Sequence, residues 1–110
     1  MTEELTLPQE DALALLRAAT NISQAREKKD KAGLAIALDE NMQLWTIIQT
    51  VVGRDDNPLA SPAKKNLLKL ANFVIARTLK YGCDASEETL NVMENMNLQI
   101  AEGLLETEAA

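Results

Sequence analysis

The side chains able to do chemistry are few, and their spacing does not assemble a reactive centre. The chain has no histidine, which removes the commonest general base and metal ligand. Asp55, Asp56 and Asn57 cluster in the manner of a calcium loop. The alternating ligands, central glycine and closing glutamate of an EF-hand are missing, however, so the run reads as a turn. The single cysteine, Cys83, lies between Gly82 and Asp84 with no activating partner beside it and reads as a structural thiol. One cysteine also excludes an intrachain disulfide and a cysteine-based metal site, and fits a reducing cytoplasm. No glycine-rich phosphate loop, GxSxG or HExxH occurs. The expectation is a protein that is not an enzyme and needs no cofactor or metal.

What remains is chemistry of contact. Met42, Trp45, Met93, Met96 and Asn97 are the candidate partner-binding residues. Methionine usually fills a core when it recurs at helical spacing, but its flexible thioether also suits grooves that accept varied apolar partners. Trp45 is the only tryptophan and is expected to anchor the core, while a tryptophan partly exposed at a groove edge would also suit a binding site. Asn41 and Asn97 interrupt apolar seams. A buried amide left unbonded costs about 1–3 kcal/mol, whereas a bonded one can fix the register between helices. Both are therefore expected to be at least partly buried and paired, with Asn97→Leu nearly neutral for stability.

The elements that must carry these residues are helices. Leu34, Leu38, Asn41, Trp45, Ile48 and Val52 step by four and three, a helical seam that no strand alternation produces. Gly53 is placed to close this helix, Asp55 to Pro58 to turn the chain, Ser61 to cap the next helix and Pro62 to open it. Leu67, Leu70, Ala71, Val74, Ile75 and Thr78 form the inner face of that next helix, and Gly82 ends it. Two helices joined this closely must pack on each other. Upstream, Ala12, Leu15, Leu16, Ala19 and Ile22 give a weaker apolar face, with Thr6 and Gln9 at capping-box spacing. The basic residues Arg26, Lys28, Lys29 and Lys31 follow, as suits a helix carboxyl end. Gly33 weakens the start of the second helix by about 1 kcal/mol relative to alanine. Downstream, Asp84 or Ser86 can cap a last helix lined by Leu90, Met93, Asn97, Ile100 and Leu104. The predicted fold class is all-α, a four-helix up-down bundle with helices near 7–27, 31–52, 62–81 and 86–105. The first helix, the least apolar, is expected to dock most loosely. Residues 1–110 form a single helical domain, with 1–5 and 106–110 expected to fray.

Composition agrees. Hydrophobic residues make up 46% of the 110 residues but aromatics only 3%, a Leu/Ala/Val/Met core that favours helix. The net charge of −6 disfavours direct binding to nucleic acid or an anionic membrane. The acidic N-terminus lacks the order of a signal peptide, and no apolar run approaches the roughly 20 residues of a membrane span, so a cytoplasmic location is expected.

Asn41-Met42-Gln43-Leu44-Trp45-Thr46, then Asn57-Pro58-Leu59, then Leu70-Ala71-Asn72-Phe73-Val74 with Thr78, resemble the central signature of the FlaF family. Asn97, Ile100, Glu102, Gly103 and Leu104 are similar to its closing segment. The resemblance covers residues 35 to 105. Met42 stands where the family usually has a basic residue, Ala60 where it often has proline, and the first third shows little of the pattern. The resemblance implies a flagellar biosynthesis regulator that supports flagellin synthesis and holds flagellin before export, as a chaperone or adaptor. Flagellin, through a terminal amphipathic helix, is then the expected partner, and the regulator FlbT a second. The competing readings are a post-transcriptional regulator of flagellin messenger RNA, acting directly or through FlbT, and a structural subunit of another helical assembly.

Overall fold

A computed structural model describes the backbone of residues 7–109 and the side chains of residues 10–105. Four helices fill it: α1 (Leu7–Glu27), α2 (Lys31–Val52), α3 (Ser61–Tyr81) and α4 (Glu87–Ala109), with one 3₁₀ turn, Gly82–Asp84, before α4. No strand occurs among the described residues. The expected bounds hold to within a residue except at the last helix, which continues to Ala109. The fraying expected for 1–5 and the capping pair Thr6 and Gln9 lie outside the described residues.

The helix ends follow from local chemistry. The Asp30 carboxylate accepts the Gly33 N–H at 2.9 Å and caps α2. A Cβ on Gly33 would come within 2.3 Å of that carboxylate, so the glycine that lowers helix propensity is also what admits the cap. Ser86 Oγ accepts the Thr89 N–H at 3.1 Å, so Ser86 rather than Asp84 caps α4. One expectation is corrected: the N-cap of α3 is Ala60, without a side-chain bond, and Ser61 is already helical. Gly53 closes α2 as expected, in ordinary right-handed φ with its N–H on the Gln49 carbonyl. The turn beyond it is held by Asn57, whose amide donates to the Val51 carbonyl and accepts the Leu59 N–H. Helix α1 ends on Lys29 at φ +53°, with Asp30 N–H reaching the Ala25 carbonyl and Lys29 N–H the Arg26 carbonyl. This is the paired-bond helix ending usually built on glycine.

The loosely docked element is α3, not α1. The closest backbone approaches join α1 to α4, α1 to α2 and α2 to α3. Ala12, Ala18, Ala19 and Ala25 are all buried on α1. Their low hydropathy suggested a poor packer, but small side chains let helix axes approach closely. Arg26 reinforces the α1–α4 seam by reaching Asn91, Glu87 and Glu94 on α4. By contrast, only Ala71 and Val74 are fully buried on α3. Leu67, Leu70 and Ile100, expected in the core, are half-buried, because α3 and α4 make no comparable close approach among the described residues. The extents of 43 × 27 × 19 Å accordingly describe a flattened bundle rather than a square one.

Candidate functional site

Two apolar clusters stack along the bundle. One holds Leu15, Trp45, Ile48, Val52, Val74 and Ala101, and the other Ile22, Leu34, Leu38, Leu90 and Met93. Asn41 and Asn97 lie between them in sequence on α2 and α4, and both are completely buried. The Asn97 side chain joins three helices. Its Oδ1 accepts the Trp45 indole N–H at 3.0 Å. Its Nδ2 donates to Asn41 Oδ1 at 2.8 Å and to the Leu15 carbonyl at 3.2 Å. Asn41 Nδ2 is buried with no partner. The amides are therefore paired as expected, but unequally: Asn97 is the hub and Asn41 is half satisfied.

Of the five candidate contact residues, Trp45, Met93 and Asn97 are fully buried, and Met42 and Met96 are half-buried. At this level α1 packs on α4 and α2, so Met93 is covered while Met42 and Met96 stay half-buried. A partner would reach Trp45, Met93 or Asn97 only by parting the helices.

The open apolar surface lies at one end of the bundle, where α3 and α4 diverge. A recess of about 230 Å³ is walled by Ile48, Val51 and Val52 at the end of α2, Asn57, Pro58 and Leu59 of the connection, Leu67 of α3, and Ile100 and Leu104 of α4. Asp11, from the first turns of α1, completes it. Asp11 is the one charged group among the described lining residues, and no described cation pairs with it. Burial, followed by the adjacent Glu10, raises its pKa above the ordinary carboxylate value. Sequence reasoning found most of these residues as helix faces but not the recess itself. Asn57-Pro58-Leu59 was the nearest signal, a named part of the resemblance with a proline and an exposed leucine beside a helix start.

The basic run after α1 disperses. Arg26 is tied to α4, Lys31 pairs with Asp84 at 3.0 Å, and Lys28 and Lys29 are exposed. No helix among the described residues is long and apolar enough to cross a membrane.

The family model described as flagellar protein FlaF matches residues 2–104. No curated protein and no solved structure matches the chain. The match begins well before the segment from residue 35 that carried the resemblance, so it takes in α1, in keeping with the central position of that helix. The chain therefore belongs to the FlaF family of flagellar proteins.

Proposed function

We propose that this flagellar protein is a flagellin-binding chaperone or adaptor that acts by contact rather than catalysis, holding an amphipathic terminal segment of flagellin in the cytoplasm before export. The observation that carries the reading is the apolar recess between α3 and α4. An amphipathic segment aggregates unless its apolar face is covered, and laying that face into a groove between helices is a recurrent solution. Leu67, half-buried, is the part of that surface that α3 supplies. At about 230 Å³ the recess is smaller than the roughly 300–1,000 Å³ of small-molecule sites, which favours side chains of a docked helix over a whole cofactor. Its described lining offers no cation and no aromatic ring, so it gives no support to direct action on flagellin messenger RNA, which calls for basic grooves and stacking platforms. A role through FlbT is compatible with the same surface.

Ordering a disordered flagellin end costs several kcal/mol, so a dissociation constant of about micromolar order is expected. The test is titration calorimetry with intact flagellin and with versions lacking either terminal segment. One truncation should abolish binding. If both bind as tightly as the intact chain, capture of a terminal segment is wrong.

A further inference from the structure

We propose that the recess takes one face of an amphipathic helix carrying a lysine or arginine at the end that meets Asp11, so that this carboxylate sets the direction and register of the docked helix. The proposal rests on the reading above for its occupant, a flagellin segment, and adds the charge that segment must carry.

Three observations converge on a basic residue. The walls are aliphatic, and nothing on Ile48, Val51, Val52 or Leu104 can distinguish one amphipathic helix from another, or one direction from its reverse. Asn57 is polar, but its amide is committed to the Val51 carbonyl and the Leu59 N–H; Asp11 is the charged exception, a carboxylate in the lining with no described hydrogen-bond donor or cation on it. Its raised pKa has burial as the first cause and Glu10 as the second, so the charged form sits in an environment that disfavours it. An arriving ammonium or guanidinium would supply the missing counter-charge where water is already partly excluded and a charge pair is only weakly screened. The whole chain also carries a net charge of −6, which steers a basic segment toward it. A neutral or acidic helix would gain the apolar contacts but leave Asp11 more deeply desolvated and unpaired, which is discrimination by penalty as well as by attraction.

The experiment is calorimetry with synthetic peptides tiling the flagellin chain, titrated into the full-length protein and its Asp11→Asn, Asp11→Lys and Leu59→Glu variants, with helical circular dichroism to verify each fold. Leu59 is an exposed loop residue, so Leu59→Glu tests the recess without threatening the core. The bound peptide should contain a lysine or arginine flanking its apolar face. Asp11→Asn should weaken it by about tenfold while leaving most of the salt dependence, which comes from the chain's net charge, and Asp11→Lys should weaken it further, the scale of a partly desolvated charge pair. Changing the peptide's basic residue to glutamate should restore binding to Asp11→Lys. Unchanged affinity in both Asp11 variants, where Leu59→Glu abolishes binding, would overturn the charge assignment. Unchanged affinity in Leu59→Glu would remove the recess as the site while leaving flagellin binding intact. Loss of self-association in Leu59→Glu without any effect on peptide would give the recess to a second copy and overturn the proposal. Failure of the unaltered protein to bind any flagellin peptide or intact flagellin would sink the underlying reading instead.

Discussion

At the scale of residues, the buried amides separate two roles that look alike in sequence. Asn41 and Asn97 both break an apolar seam, and both were legible for that reason. What sequence could not show is that Asn97 carries three bonds while Asn41 carries one and leaves a donor orphaned, since that depends on where Trp45 and α1 arrive. The near-neutral Asn97→Leu expected from sequence is revised accordingly. It leaves the Trp45 indole N–H and the Asn41 side chain unpaired in the core, and at about 1–3 kcal/mol per orphaned group it should cost about 2–6 kcal/mol in urea melts. Asn41→Leu removes the orphaned Asn41 donor but takes the acceptor from one Asn97 Nδ2 hydrogen, exchanging one unpaired donor for another, so it should change stability by less than about 1 kcal/mol. Asp11 gives a pH signature. Its folded pKa is raised by burial and by Glu10, so its carboxylate opposes folding at pH values above that pKa. The penalty fades as pH falls toward the unfolded pKa, where both states are protonated. Asp11→Asn should therefore raise the urea midpoint at pH 7 and lose that advantage on acidification through the carboxylate range.

At the scale of elements, helix bounds were legible because seam period, prolines and caps agreed. The errors fell where tertiary contact or backbone detail decides. Average hydropathy undervalued α1, whose buried alanines bring its backbone against α4 and α2. The same reasoning overvalued α3, whose leucines at 67 and 70 have the right spacing but no close fourth helix to cover them. The recess was illegible for that same reason, being a gap between elements rather than a property of one. Backbone detail makes two predictions. Lys29 occupies left-handed φ, a conformation that disfavours any residue with a Cβ by roughly 1–2 kcal/mol. Part of that is returned by glycine's greater freedom in the unfolded chain, so Lys29→Gly should stabilise by about 0.5–1 kcal/mol in thermal or urea melts. Gly33→Ala would gain about 1 kcal/mol of helix propensity, yet its Cβ displaces the Asp30 carboxylate, and loss of an N-cap costs about as much. The same melts should find it close to neutral.

At the scale of the whole molecule, α1 packs closely on both α4 and α2, the Asn97 side chain ties α4 across to α2, and α3 lies on α2, with a notch left between α3 and α4. The rigid part is pinned by the Asn97 hub and by the Arg26 contacts at the opposite end from the recess. Trp45→Ala should cost about 3–5 kcal/mol, as for a fully packed aromatic, in denaturant melts of the full chain. The proposed binding face is then the part that packs least, which suits a surface that must accept and release a partner. The direct measurement is photo-crosslinking to flagellin from a reactive amino acid placed at position 59, at the mouth of the recess, against the same probe at position 47, where Ile47 is exposed outside the recess lining. Crosslinks from position 59 to one terminal segment of flagellin, with none above background from position 47, are the result the account predicts. Equal yields from both positions, or crosslinks from position 47 alone, would contradict it.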